Sequence, residues 1–262
     1  METPNAIEAG NVSFGYDGDL TLKNISFNAG QGEMIALIGP NGSGKTTLLK
    51  LLLALLQPSC GTIALFNLPL SSYAPKERAK QIAYVSQQPA LSFPLTAFEL
   101  VALGRYPYAS RLGLSANDKA TIEEALERTH AKHLSARHFS TLSGGEQQKI
   151  LIARALAQSA KVVLLDEPTL HLDLRYQLQI LAALKGLCTQ KRTTVIIVLH
   201  DINLVSMFAD KALLLRASKL CAFGPVKEVV TEENIKDLLA VDIKAMADPE
   251  TGVRYFVPRV PS

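Results

Sequence analysis

Gly39-Pro40-Asn41-Gly42-Ser43-Gly44-Lys45-Thr46 is the stretch that sets the fold of this chain. It matches G-x-x-x-x-G-K-[ST] at every defined position. A short apolar run, residues 34–38, precedes it, and a helix opening near Lys45 follows it. Strand, loop and helix in that order are the context a phosphate-binding loop requires. Glycines let backbone N–H groups turn inward onto phosphate oxygens, and the N-terminus of the following helix adds its dipole. In such a loop Lys45 reaches the β- and γ-phosphates, the Thr46 hydroxyl binds a magnesium ion, and Thr47 donates near the α-phosphate.

Outward from the loop, the chain alternates strand and helix signals. Residues 7–14 and 22–27 alternate apolar and polar positions, as half-buried antiparallel strands do. Residues 162–165 and 195–199 are apolar runs with polar ends, as expected of buried parallel strands. Residues 62–65 and 82–86 read as further strands, 212–216 with 219–223 as a terminal hairpin, and 75–80 as a helix. The helix after the loop is expected to end at Gln57-Pro58-Ser59-Cys60-Gly61. Residues 98–157 are expected to be mostly helical, with a clear amphipathic helix over 116–128. Thr231 caps a helix over 231–239, and Asp248-Pro249-Glu250-Thr251-Gly252 forms a turn between two late strand segments. This pattern predicts an α/β parallel-sheet core with an antiparallel β layer and an inserted helical part. The predicted division is a nucleotide-binding core over about 1–90 and 158–225, a helical subdomain over about 91–157, and an extension over about 226–262.

Composition narrows the class. The chain has 262 residues and a formal net charge of +3, too mild to argue for nucleic acid or an anionic membrane surface as partner. No apolar stretch approaches the roughly 20 residues a bilayer requires; the longest, residues 48–56, contains Lys50. The N-terminal residues carry no basic region followed by an apolar run, so no secretion signal is expected. Cys60, Cys188 and Cys221 are scattered and unpaired in sequence, and are read as small buried hydrophobes in a reducing compartment.

Two further segments carry chemistry. Asp166 and Glu167 stand at the end of the 162–165 strand, the edge at which parallel sheets bind ligands. Asp166 is suited to a place near magnesium, through a water, and Glu167 to polarising the attacking water as general base. Leu142-Ser143-Gly144-Gly145-Glu146 reads locally as a helix start, with Ser143 as cap and Glu146 closing a capping box. Its glycines also leave backbone N–H groups available to an anion.

Taken in order, these motifs resemble an ABC-type ATP-binding cassette of the P-loop NTPase class, and the resemblance covers nearly the whole chain. It implies ATP and Mg²⁺ as ligands and two cassettes that sandwich ATP. Ser143, Gly144, Gly145 and Glu146 of one chain would then close over the γ-phosphate bound by the other. Tyr16 resembles the aromatic that stacks on adenine; a packing aromatic is the plain alternative. Gln87, rather than Gln88, resembles the Q-loop glutamine that contacts magnesium and senses a membrane partner. Leu170-His171-Leu172-Asp173 resembles the D-loop, with Asp173 also suited to a helix N-terminus. His200 resembles the switch histidine that positions the γ-phosphate, and would otherwise cap a helix ahead of Asp201. Ser86 and His171 depart from common family residues without removing a catalytic group.

The segment Phe93-Pro94-Leu95-Thr96-Ala97-Phe98-Glu99-Leu100-Val101-Ala102-Leu103-Gly104-Arg105-Tyr106-Pro107-Tyr108 would expose apolar and aromatic residues beside Glu99 and Arg105. It suits a groove for a partner's helix. With residues 172–177 and 198–204 it resembles the importer group for iron-siderophores, haem and cobalamin. That likeness implies a homodimer on the cytoplasmic face of the membrane, two permease subunits, and a periplasmic or surface substrate-binding protein. A soluble cassette ATPase of translation or DNA repair, or the cassette of an exporter, are the other readings.

Overall fold

A computed structural model describes residues 4–16, 19–87, 94–109, 113–170 and 172–259. Gln88, Phe93 and His171 lie outside the described residues. The chain divides into two compact units, Met1–Ser72 with Thr194–Ser262, and Tyr73–Thr193. In chain order the first unit holds β1 (Asn5–Tyr16), β2 (Asp19–Gly30), β3 (Met34–Ile38), α1 (Lys45–Leu52), β4 (Cys60–Leu65) and β5 (Leu68–Pro69). The second unit holds α2 (Pro75–Gln81), β6 (Ile82–Val85), α3 (Ala97–Ala102), α4 (Ala116–Arg128), α5 (Gly144–Ala157), β7 (Val162–Leu165) and α6 (Leu174–Lys191). The chain returns to the first unit with β8 (Thr194–Val198), α7 (Ile202–Phe208), β9 (Lys211–Arg216), β10 (Lys219–Pro225), α8 (Val226–Val229), α9 (Glu232–Leu239), β11 (Ile243–Ala247) and β12 (Arg254–Pro258).

In the first unit β5, β4, β1 and β2 form an antiparallel layer. It continues through β10 and β9 to β3 and β8, and β3 runs parallel to both β9 and β8. Burial explains both halves. β2 buries Leu22, Ile25, Phe27 and Ala29 and exposes Lys23, Asn24, Ser26 and Asn28. One apolar face is all that an antiparallel layer needs. Every residue of β3 and β8 is buried, as in strands covered on both faces. β9 and β10 form the expected hairpin; α8 follows, then α9 with its Thr231 cap and a small β11–β12 sheet, as the late helix and strand signals predict.

The second unit pairs β6 with β7 in parallel register, Ile82 with Val162 through Val85 with Leu165. Helix α4 has the predicted bounds. The span 98–157 is less helical than expected, because 3₁₀ turns at Leu103–Tyr108, Lys132–Leu134 and Phe139–Thr141 interrupt it. Pro107 stands inside the first of these, where an α-helix would need its N–H.

Three further expectations are corrected. Helix α1 ends at Leu52 instead of continuing toward Gln57; Ala54 follows in the left-handed region, at φ 52°. Cys60 and Cys221 are exposed, and only Cys188 is buried. Cys60 begins β4, whose first three residues are all exposed, and Cys221 occupies an outward position of β10. Arg105 is buried, not a surface charge. Its Nε donates to Asp118 Oδ1 at 2.8 Å and its Nη1 to the Ala157 carbonyl at 2.8 Å. The Ser115 hydroxyl first, then Arg105, holds the Asp118 carboxyl down to about 2.

Thr194 shows how the first unit closes. It is fully buried, and its hydroxyl donates to the Gly30 carbonyl at 3.0 Å while accepting from Gly32 N at 3.2 Å. It thereby ties the turn before β3 to the start of β8. The near-isosteric Thr194→Val would take the acceptor from the Gly32 N–H and one donor from the Gly30 carbonyl, which also accepts from Glu33 N. It is expected to lower the unfolding free energy by about 1–3 kcal/mol in urea titration; an unchanged midpoint would contradict this account.

Candidate functional site

The phosphate loop is shaped by contacts of its own unit. Gly39 follows β3 so close to β9 that a Cβ would lie 2.2 Å from the Leu215 carbonyl oxygen and 2.6 Å from Ser43 Oγ. Gly44 adopts φ 100°, and a Cβ there would meet Leu22 Cδ2 at 2.6 Å. Lys45 opens α1 and is buried; its ammonium donates to the carbonyls of Gly39 at 2.9 Å and Pro40 at 3.0 Å. The cation is thus held over the loop by neutral carbonyls. No side chain caps α1. Ser43 Oγ is buried with no hydrogen-bond partner among the described residues. An uncapped helix start, a buried ammonium and an unused hydroxyl together fit a phosphate chain.

Tyr16 and His200 belong to the same unit. Tyr16 ends β1 with 45% of its surface exposed, its ring edge-on to Phe14 at 4.9 Å. The backbone N–H of Leu199 donates to the Leu37 carbonyl at 3.4 Å, so exposed His200 and the loop leave the ends of adjacent parallel strands. Asp201, not His200, caps α7, accepting from Asn203 N and Leu204 N.

The second unit carries the carboxylates. Asp166 follows β7, 2% exposed, with its N–H donating to the Val85 carbonyl at 2.9 Å. Glu167 takes φ 51° directly before Pro168. A left-handed conformation for such a residue costs about 1–2 kcal/mol and is the kind of local strain that gathers at functional sites. Gln87 Nε2 donates to Glu167 Oε2 at 2.7 Å, so the structure joins two of the predicted residues directly. Sequence reasoning missed Tyr84, a neighbour of Asp166: burial, then the Asp166 charge, pushes its phenol up to about 12. Only the β6–β7 register reveals that neighbour.

Each unit offers hard oxygen donors: the Thr46 hydroxyl in the first, the Gln87 amide oxygen and the Asp166 carboxylate in the second. Among the described residues no group of three or more His, Cys, Asp or Glu could hold a metal by itself.

Ser143 caps α5 in a complete capping box. Its hydroxyl accepts from Glu146 N at 3.4 Å and donates to Glu146 Oε2 at 2.9 Å. The Ser143 N–H and hydroxyl hold the Glu146 carboxyl below its usual range. Asp173 caps α6, accepting from Tyr176 N at 3.0 Å. The two helix starts share one recess of about 560 Å³, lined by Ser143, Gly144, Gly145, Glu146, Leu172 and Asp173 among others. The buried Lys149 ammonium lies 3.2 Å from the Tyr176 ring centroid and ties α5 to α6. Gln177 Nε2 secures the segment between them, donating to the carbonyls of Thr169 and Leu172.

A phosphate loop after one buried strand and a carboxylate pair after another define a nucleotide-hydrolysing domain of α/β fold. A family profile described as ABC transporter matches residues 22–170. The hemin import ATP-binding protein HmuV of Thermobifida fusca (strain YX) is 33% identical, covering 98% of this chain and 93% of its own. The petrobactin import ATP-binding protein FpuD of Bacillus anthracis is 34% identical, over 97% and 93%. A solved structure described as an inward-facing metal-chelate type ABC transporter aligns with a TM-score of 0.85 at 31% identity, over 98% of both chains. The chain belongs to the ABC transporter family, as one of its ATP-binding subunits. These subunits are transport ATPases, and cassettes of the family function as dimers.

Lys45→Ala is expected to weaken ATP binding by about 10- to 100-fold, the worth of charge-assisted hydrogen bonds to phosphate. Titration of a fluorescent ATP analogue measures it, and a near-normal affinity would remove Lys45 from the site.

Proposed function

We propose that this chain is the energy-coupling ATPase of an importer for iron-siderophores or haem, working as a homodimer under two permease subunits at the cytoplasmic face of the membrane. A substrate-binding protein delivers the cargo to the permeases, and the cargo never meets this subunit. The observation that carries the reading is likeness over nearly the whole chain to subunits named for hemin and petrobactin import. Those names favour import over an exporter or a soluble ATPase. Cobalamin, expected beside the other two cargoes, has no counterpart in the names given above. Among the described residues no helix is long and apolar enough to cross a membrane.

In this reading Tyr16 stacks on adenine and residues 39–47 wrap the phosphates. Lys45 exchanges the carbonyls of Gly39 and Pro40 for β- and γ-oxygens, a stronger, charge-assisted pairing. Thr46, Gln87 and, through water, Asp166 hold the magnesium ion, which when bound neutralises charge on the phosphates. Glu167 takes the proton of the attacking water, and His200 donates to the γ-phosphate. Glu167 must first be released by Gln87, which occupies one of its oxygens. Ser143, Gly144, Gly145 and Glu146 of the second copy, with its Asp173, complete the site. Closing on ATP moves the permeases; hydrolysis and release reset them.

The 3₁₀ turn Leu103–Tyr108 offers a surface for the permease. Tyr106 is 75% exposed, with Leu103 and Tyr108 exposed beside it, while Arg105 beneath anchors the turn to Asp118 and Ala157. An aromatic held by a rigid turn loses little entropy on docking.

Glu167→Gln is expected to retain ATP, to accumulate as a closed dimer on size-exclusion chromatography, and to lose about 10²–10⁴-fold in phosphate release; wild-type turnover would sink the assignment of the base. Coexpression with a cognate permease tests the function itself. The pair should copurify and drive ATP-dependent uptake of a ferric siderophore or haem, and Tyr106→Ser should lose copurification while keeping ATPase activity. Uptake of neither cargo, or export instead, would refute the reading.

A further inference from the structure

Helices α5 and α6 start beside one recess, and residues just inside each start hold them there. Tyr176 is the third residue of α6, and its backbone N–H donates to the Asp173 cap. Its ring carries the Lys149 ammonium, 3.2 Å from the centroid. Lys149 is the sixth residue of α5 and is 5% exposed; among the described residues no carboxylate makes an ion pair with it. Burying an ammonium is costly unless something replaces its water, and here the face of Tyr176 does so. A second contact joins the same two starts. A Cβ at Gly145 would meet Leu172 Cδ2 at 3.3 Å, so the α5 backbone passes close over the buried Leu172 side chain. Gln177 in turn fixes the segment that carries Leu172, through the Thr169 and Leu172 carbonyls.

We propose that Lys149 and Tyr176 are positioning residues of the half-site offered to the second copy's ATP: their pairing sets the spacing between the α5 start and the Asp173 cap of α6. The two starts then meet that nucleotide together. The inference rests on the reading of residues 143–146 and Asp173 as that half-site. Backbone N–H groups stabilise an anion best when they arrive already aimed, and a helix start is aimed through residues further along its axis. Neither Lys149 nor Tyr176 has to touch the nucleotide to do this. Lys149 also lines the recess beside Glu146 and Asp173, so its charge by itself would favour an anion there. Tyr176 separates the two effects, since replacing its ring keeps the ammonium and removes only the hold between the helices.

The test uses the full chain carrying Glu167→Gln, in which ATP is expected to accumulate the closed dimer. The ATP concentration that gives half-maximal dimer on size-exclusion chromatography is compared with the ATP-analogue affinity of the dilute chain, with melting temperatures alongside. Lys149→Met and Tyr176→Leu are each expected to raise that concentration by about 5- to 30-fold, the worth of a desolvated cation over a ring, and to leave the analogue affinity unchanged. Lys149→Arg and Tyr176→Phe keep a cation over a ring and are expected to dimerise as the parent does. Parent-like dimerisation of Tyr176→Leu overturns the proposal, as does failure of both conservative variants, or an equal loss of analogue affinity and dimer. Ser143→Arg in the same background tests the reading beneath it. If Ser143→Arg blocks the dimer and Tyr176→Leu does not, the positioning role alone falls. If Ser143→Arg leaves the dimer intact, the assignment of residues 143–146 falls, and the positioning role with it.

Discussion

Backbone N–H groups can hold a phosphate only where no side chain has claimed them first, and this constraint shapes the chain around α1. Most other helix starts are closed by side chains: Thr96, Ser115 and Ser143 make capping boxes, and Asp173, Asp201 and Thr231 cap α6, α7 and α9, while the short α2 and α8 begin at Ala74 and Pro225 without one. Helix α1 begins instead after Gly44 in the left-handed region, with no side chain to accept from its first turn. The loop must then be held from outside, and it is. The Leu215 carbonyl presses on Gly39, Leu22 on Gly44, and the Lys45 ammonium bridges two loop carbonyls. A helix start left open to a ligand therefore demands tight packing of the strands that deliver it.

The second unit answers a different demand, that of placing two negative groups side by side without letting them wander. One is buried, its backbone N–H tied to the neighbouring strand; the other stands on a strained backbone and is held by an amide. Glu167 and Gln87 form the part most easily rearranged, since that bond joins two side chains and no backbone group. A movement of Gln87 would be felt at once by Glu167. The turn that presents Tyr106 lies in the same unit, anchored on Arg105.

Much of this was legible in the sequence because local rules fixed it. The apolar run 34–38 is a strand with those bounds, and the capped periodicity of 116–128 is a helix with those bounds. The loop and the capping box at Ser143 follow from residue type and spacing alone. What stayed hidden depends on pairing. Arg105 reads as a surface charge until Asp118, thirteen residues on, and the Ala157 carbonyl turn toward it. Tyr84 reads as a strand aromatic until the register with β7 is known. Cys60 and Cys221 are outside because their strands leave those positions uncovered, a property that composition does not carry. The run of 3₁₀ turns between α3 and α5 escaped for a related reason: its apolar residues suit a helix, and only Pro107 and the tertiary packing break it.

The closed capping box at Ser143 has a consequence for reversibility. Its hydroxyl already has an acceptor in Glu146, so turning toward a phosphate would be an exchange of partners and not the making of a bond from nothing. Only the difference between the two acceptors would be gained. A clasp built on such a difference holds lightly, and lets go once the phosphate it exchanged for has gone.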